Sequence, residues 1–146
     1  MGVPVQVVID STDPAALAPF WAAALGYVVQ PPPEGFESWH AFLASVGVPE
    51  SEWNSRSAVV DPDGDGPRVF FQRVPEPKTV KNRVHLDINA GGPVGTDPDE
   101  RARRMSAKVE QLVGLGATVQ REMRVEEMGD HWFVLQDPEG NEFCVQ

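Results

Sequence analysis

The frame Leu25-Gly26-x-x-Val29-Gln30 returns 90 residues later as Leu115-Gly116-x-x-Val119-Gln120. The turn-forming run Asp61-Pro62-Asp63-Gly64 likewise returns as Asp137-Pro138-Glu139-Gly140. In each half an Asp-Pro pair, at 13–14 and again at 97–98, precedes a helical pattern. These landmarks recur in one order, and a spacing of ~80 residues is too long for a solenoid repeat. The sequence therefore predicts the duplication of one large supersecondary unit.

Each half reads as strand, helix, strand, strand, strand. Strands are predicted from β-branched and alternating runs, and helices from apolar residues at three- and four-residue spacing. The predicted strands are 3–10, 27–30, 57–60, 68–74, 83–89, 117–123, 131–136 and 141–145, and the helices begin at Pro14 and Pro98. We predict one α+β domain, residues 1–146, of two tandem βαβββ units (1–74 and 83–146) that form an open, cupped mixed sheet around a central cavity, with the helices outside.

One segment breaks the symmetry. Residues 31–56 form a long insert rich in aromatic side chains, whereas the matching segment 124–130 is short. Long inserts in compact domains are often lids over a binding site. We predict a short helix over 37–46 and contacts to a ligand from Trp39 and His40. The alternative is that the aromatic residues only anchor the insert to the core.

Composition restricts the partners. A net charge of −10 argues against nucleic acid or an anionic membrane surface. No apolar run approaches the length of a membrane span, and Cys144 is the only cysteine, so an internal disulfide is excluded. The expectation is a cytoplasmic protein, with a small molecule as its ligand.

Polar and apolar residues alternate along the strand that opens the second half. His85 and Asp87 therefore share one face, which we predict to line the cleft together with Gln6 of the matching first strand. His85 can act as a general base or acid, and Asp87 can fix its tautomer. The same alternation also fits an exposed sheet face with a structural histidine. His131 and Trp132 open a later strand at the edge of the cleft, where they either contact the ligand or pack.

Several stretches carry a resemblance to a known family. They are 69–78, 83–87, 129–132 and 137–143, together with the duplicated order of strands and helices. The chain resembles the vicinal oxygen chelate superfamily, which includes glyoxalase I, extradiol dioxygenases, fosfomycin-resistance enzymes and bleomycin-binding proteins. It looks most like the actinobacterial branch of glyoxalase-like domains. The resemblance implies a ligand cleft between the two units and, often, a homodimer.

The resemblance also implies four metal ligands, drawn from the first and last strands of each unit. Carried over, they fall on Gln6 and His85 and on or near Phe71 and Cys144. Phenylalanine cannot bind a metal, and an isolated cysteine is a poor substitute for a carboxylate on a hard ion. We therefore expect no cofactor, with Phe71 and Cys144 lining the substrate site. The alternative is a divalent metal held by Gln6, His85 and Glu142.

Two functions remain open at this point. The first is an enzyme of the glyoxalase-like or dioxygenase-like kind, a lyase, isomerase or dioxygenase with His85 as ligand or base. The second is a metal-free protein that sequesters a small organic molecule, cationic or aromatic, as bleomycin-binding proteins do. The missing carboxylates favour the second function, and the polar face favours the first.

Overall fold

Each half of the chain builds its own four-stranded sheet. The computed structural model describes residues 2–146, which divide into a unit that ends at Pro77 and a unit formed by Lys78–Gln146. The elements of the first unit are β1 (Val7–Ser11), α1 (Pro14–Leu25), β2 (Val28–Val29), α2 (Trp39–Ser45), β3 (Arg56–Val60) and β4 (Val69–Arg73). Those of the second unit are β5 (Asp87–Ile88), α3 (Pro98–Gly114), β6 (Thr118–Val125), β7 (Asp130–Gln136) and β8 (Glu142–Val145).

The two sheets have the same topology. Their strand orders are β1-β4-β3-β2 and β5-β8-β7-β6, and in each the opening strand runs parallel to the closing strand while the other neighbours are antiparallel. The predicted α+β class and the duplicated βαβββ unit are confirmed. The single domain and the shared central cavity stay predictions. Among the described residues, no helix combines the length and apolarity that a membrane span requires.

The repeated Leu-Gly frame ends the main helix of each unit. Gly26 and Gly116 have φ angles of 71° and 109°, which only glycine adopts without strain. The next amide then bonds back to a carbonyl five residues earlier, from Tyr27 to Ala22 at 2.8 Å and from Ala117 to Leu112 at 3.0 Å. Because these bonds satisfy carbonyls left open at a helix end, both helices stop in the same way.

The repeated Asp-Pro turns also share one device, in which the aspartate carboxylate accepts amides of its own loop. Asp61 accepts from Asp63 N at 3.0 Å and from Gly66 N at 2.8 Å. Asp137 is buried and accepts from Glu139 N at 2.9 Å and from Asn141 N at 3.0 Å, and also from Asn141 Nδ2 at 2.9 Å. These hydrogen bonds from backbone amides to the aspartate carboxylate stabilise the turn before the last strand of each unit.

Each unit has its own core, between one helix and one face of its sheet. Helix α1 packs on β3 and β4, and α3 packs on β6, β7 and β8. The fully buried side chains include Leu17, Trp21, Val59, Val69, Phe71, Met105, Leu112, Leu135, Phe143 and Val145. Each contributes roughly 1.5–3 kcal/mol by removal from water, which favours folding.

Strand β5 is much shorter than the predicted strand 83–89. Ladder bonds to β8 start only at Leu86, whose carbonyl accepts from Cys144 N at 3.0 Å. Before Leu86 the two segments are joined through a side chain instead. The amide of Asn82 donates to the carboxylate of Glu142 at 3.0 Å, and this contact takes the place of strand pairing. Val84, which lies in the part of the predicted strand before β5, is 81% exposed as a result.

Candidate functional site

A cavity of about 420 Å³ lies in the first unit, between the insert and the face of the sheet that is turned away from α1. Its wall combines aromatic rings with two arginines and one carboxylate. The lining residues are Gln30, Trp39, Phe42, Leu43, Val48, Glu52, Trp53, Ser55, Arg56, Ser57, Ala58, Arg68 and Phe70. The predicted contact of Trp39 with a ligand is compatible with this position.

Hydrogen bonds hold the two tryptophans of the insert in place. The indole of Trp39 donates to Gln30 O at 2.8 Å, and that of Trp53 donates to Val48 O at 2.9 Å. The ring of Phe42 packs edge-on against Trp39 at 5.9 Å between centroids. His40 is exposed and stacks on Trp53 at 4.9 Å, so it supports the wall without lining the cavity. The predicted short helix in the insert is confirmed as α2.

The end of the insert is fastened to the start of α1. Asn54 Nδ2 donates to Asp13 Oδ1 at 2.8 Å, and Asn54 Oδ1 accepts from Ala15 N at 2.8 Å. Asp13 is also the N-cap of α1. One carboxylate therefore caps the start of α1 and also anchors the insert, which fixes the insert relative to the sheet that it covers.

Arg68 is one of the two cations at the cavity wall, and two neutral amides hold it. Its Nε donates to Gln30 Oε1 and its Nη1 to Gln6 Oε1, both at 2.7 Å. The guanidinium carbon lies 5.1 Å from the ring centre of Phe70, within the range of a cation–π contact. Gln6, which we predicted as a ligand contact and as a metal ligand, has its side-chain oxygen engaged by Arg68.

The second unit brings His85, Asp87 and Cys144 together. His85 Nδ1 lies 2.8 Å from Asp87 Oδ1, and Asp87 is the register partner of Cys144 across β5 and β8. One potential ligand atom from each of the three lies within 4.8 Å of the others. Both His85 and Asp87 are exposed, while Cys144 is buried. Burial, and then the charge of Asp87, raises the pKa of the Cys144 thiol, so the thiol is protonated at neutral pH.

This arrangement defines what the imidazole can do. A carboxylate only accepts hydrogen bonds, so Nδ1 of His85 is the donor and Nε2 is left as the basic nitrogen. Such a nitrogen can take a proton or bind a metal, with Asp87 orienting the ring. Imidazole, carboxylate and thiol together fit a borderline ion such as zinc better than a hard ion, provided that the thiol loses its proton.

Glu142 does not join this group. Its carboxylate pairs with Lys78 at 3.1 Å and accepts Asn82 N at 3.0 Å. The Asn82 amide is the largest of the contacts that lower the pKa of Glu142, to about 2. The carboxylate predicted as a metal ligand is therefore charged and already bound by the segment that opens the second unit.

The remaining predicted contacts lie on different faces. Phe71 is fully buried on the helix-facing side of β4. In β7 neighbouring side chains alternate, so His131 shares the face of the buried Phe133, and its Nε2 lies 2.8 Å from Glu122 Oε1. Trp132 lies on the opposite face, the one that carries Cys144. Of this set, Trp132 and Cys144 share a face; a ligand at Phe71 or His131 stays a prediction.

Register shows which residue of the first unit corresponds to Cys144. Asp87, two residues after His85, pairs with Cys144, while Val8, two residues after Gln6, pairs with Phe70. Phe70 therefore occupies the equivalent position, and it lines the cavity whereas Phe71 does not. Sequence reasoning missed Phe70, Arg68, Arg56 and Phe42. The signal that could have revealed Phe70 is its neighbour Phe71, because side chains alternate along a strand and one of two adjacent phenylalanines must face away from α1.

The model of the glyoxalase-like domain family matches residues 6–146. The chain belongs to this family. This match confirms the predicted membership of the glyoxalase-like group of the vicinal oxygen chelate superfamily, while the actinobacterial branch stays a prediction. No curated protein matches the chain.

Solved structures show the same fold at low identity. A mutant of the fosfomycin resistance protein FosX from Listeria monocytogenes, complexed with Mn(II) and a dihydroxypropylphosphonic acid, is 8% identical. The alignment covers 100% of this chain and 90% of that one, with a TM-score of 0.62. A glyoxalase/bleomycin resistance protein/dioxygenase family enzyme from Burkholderia phytofirmans is 17% identical over 96% and 94%, with a TM-score of 0.55. The oxidase ChaP-H2 is 16% identical over 99% and 93%, with a TM-score of 0.56.

Proposed function

We propose that this glyoxalase-like chain binds a small aromatic organic molecule in the cavity beneath its insert. The observation that carries the proposal is the cavity itself, about 420 Å³ with Trp39, Phe42, Trp53 and Phe70 in its wall. Small-molecule sites usually measure ~300–1,000 Å³ and combine apolar walls with a few polar groups. This is the binding function that the sequence left open, with the site located in the first unit; a cleft between the units stays a prediction.

The wall is held in place before a ligand arrives. Trp39 and Trp53 are tied to backbone carbonyls, and Asn54 ties the insert to α1. Binding to fixed rings loses less side-chain entropy than binding to mobile ones, which favours affinity. Aromatic rings also pair with one another in offset or edge-on geometries, so a flat ligand suits this wall.

The test uses 2-naphthamide, a neutral two-ring compound, titrated into the protein by calorimetry. We expect saturable binding that weakens about tenfold or more in Phe70→Ala, because a ring of the wall is lost. The matched control is Phe36→Ala, since Phe36 packs on Phe42 in the same insert but does not line the cavity. Absence of binding by any two-ring arene, or equal binding by Phe70→Ala, would contradict the proposal.

A second candidate function is chemistry at His85, of the glyoxalase or dioxygenase kind. The observation in its favour is the 2.8 Å contact with Asp87, which leaves Nε2 basic, beside Cys144. Metal content of protein purified without chelator, compared with His85→Ala, tests it. Stoichiometric nickel, zinc, iron or manganese that is lost in the variant supports a metal centre at His85. Protein without metal contradicts that centre.

A further inference from the structure

We propose that the ligand of the cavity carries a carboxylate on its aromatic ring system, and that Arg68 binds this carboxylate. The inference rests on the proposed function, and it specifies the ligand class as aromatic carboxylates. The feature behind it is a half-buried guanidinium at the wall of an aromatic cavity with no carboxylate paired to it.

Arg68 differs from the cations that pair elsewhere in the chain. Within residues 2–146, Arg73, Lys78, Arg103, Arg104 and Arg124 each lie within 4.0 Å of a carboxylate. Of the described arginines without such a pair, Arg68 and Arg56 line the cavity, and Arg68 is the half-buried one. Acids are not scarce, since the chain has 22 Asp and Glu against 12 Lys and Arg. A half-buried charge is costly to leave unpaired, so a site that keeps one beside a cavity is suited to an anion from outside.

The contacts of Arg68 position it without neutralising it. The side chain of Gln30 accepts a hydrogen bond from Nε, and that of Gln6 accepts one from Nη1. Both acceptors are uncharged amides. A guanidinium has five N–H groups, so three remain without a protein acceptor in the described chain. With its plane held by two amides and by the ring of Phe70, the group is prepared for a planar, two-oxygen partner.

The other charges of the wall agree with an anionic ligand. Arg56 is the second cation in the lining, and Glu52 is its only acid. Glu52 is already satisfied, because Arg73 lies 3.4 Å from it and Ser55 Oγ donates to it at 2.5 Å. The wall therefore has an excess of positive charge in a protein of net charge −10, which disfavours the cationic ligand that the sequence had left open.

The experiment compares 2-naphthoate with 2-naphthamide, which differ in charge and share their ring system. Wild-type protein should bind the naphthoate about 10- to 100-fold more tightly, the effect of hydrogen bonds to a charged group. Arg68→Met keeps the apolar stem and removes the charge, so it should bind both compounds with the affinity that the wild type has for the amide. Arg103→Met, an exposed arginine of α3, makes the same change in net charge and should leave the preference intact.

The outcomes separate the two proposals. If the wild type binds both compounds equally, or if Arg68→Met keeps the preference, the carboxylate assignment is wrong and the aromatic cavity still stands. If neither compound binds, the proposed function itself fails. Circular dichroism checks that Arg68→Met is folded. Arg68→Lys keeps the charge without the two-pronged geometry and, if the assignment is right, should retain only part of the preference.

Discussion

The two units share a topology and differ in how they join their second and third strands. In the first unit the connection is the insert 31–56, whereas β6 and β7 are joined by the short 3-10 helix Glu126–Met128 and Gly129. The insert covers a sheet face with aromatic rings and creates a cavity. The corresponding face of the second unit carries Asp87, Cys144 and Trp132, and only a short connection joins β6 and β7 there. The same topology thus supports an aromatic wall in the first unit and, in the second, a polar cluster formed by His85, Asp87 and Cys144.

The connection also determines strand length. The short link lets β6 and β7 pair from Thr118↔Gln136 to Val125↔Asp130, while β2 has only two residues. Beyond Val29 the chain enters Pro31-Pro32-Pro33, which has no amide donors for a sheet. A long insert therefore shortens its own strand and replaces strand pairing with side-chain contacts such as that of Trp39 with Gln30.

The largest effect should come from making the first unit resemble the second. Replacement of residues 31–55 by Glu-Glu-Met-Gly, the sequence of 126–129, removes most of the cavity wall. We expect arene affinity to fall about 100-fold or more in calorimetry, because several wall rings are lost together. An unchanged reaction rate of the Cys144 thiol would show that the second unit is intact. Retained arene affinity would locate binding outside the insert.

The next largest effect concerns the two aspartate turns. Asp137→Ala should lower the free energy of unfolding by about 2–3 kcal/mol, because a buried carboxylate with three hydrogen-bond donors is removed. The matched variant Asp61→Ala removes a more exposed carboxylate that also accepts amides of its own turn, and it should cost clearly less because water can replace those contacts. Urea unfolding measures both. Equal losses would show that burial does not distinguish the turns.

Glu142 gives a pH-dependent prediction in the second unit. Its pKa falls from an ordinary 4.5 to about 2 on folding, so the contact stabilises the fold fully above pH 4.5 and is lost as pH falls toward 2. Glu142→Gln should cost about 1–2 kcal/mol at pH 7 and almost nothing near pH 2. Glu76→Gln, an exposed control near the end of the first unit, should have little effect at either pH. A pH-independent cost of Glu142→Gln would rule out the charge of Glu142 as its source.

The smallest effect concerns the thiol of the polar cluster. Burial and Asp87 raise the pKa of Cys144, so Asp87→Asn should lower that pKa and increase the thiolate fraction. We expect Cys144 to react about three- to tenfold faster with a disulfide reagent at pH 7.5. Asp99→Asn makes the same change in net charge at an exposed position of α3, and its thiol should react like that of the wild type. Equal rates for all three proteins would mean that Asp87 does not act on the thiol.

Local patterns predicted the fold well. The Asp-Pro pair correctly predicted that α1 begins at Pro14, and the glycine of the repeated frame caps its end at Leu25, because helix caps and apolar spacing are encoded within a few residues. The strand at 83–89 was predicted too long, since alternation does not reveal that Asn82 binds Glu142, 60 residues away.

The candidate site was less predictable. Phe70 and Phe71 are adjacent and alike, so periodicity could not decide which of them faces the helix. Glu142 was a plausible metal ligand until its distant partner Lys78 was known. The charge state of the cavity wall depends on Arg68 being paired with amides that are 38 and 62 residues away, and no local pattern records such pairings.

The confinement of the cavity to the first unit has an evolutionary consequence. All its lining residues lie between Gln30 and Phe70, and more than half of them belong to one continuous loop. Recombination that exchanges this loop alone would alter what is bound while leaving the polar cluster at His85 unchanged. Under the two proposed functions, binding at the cavity and chemistry at His85 would be encoded in separate stretches of one gene, and each could vary without a change in the other.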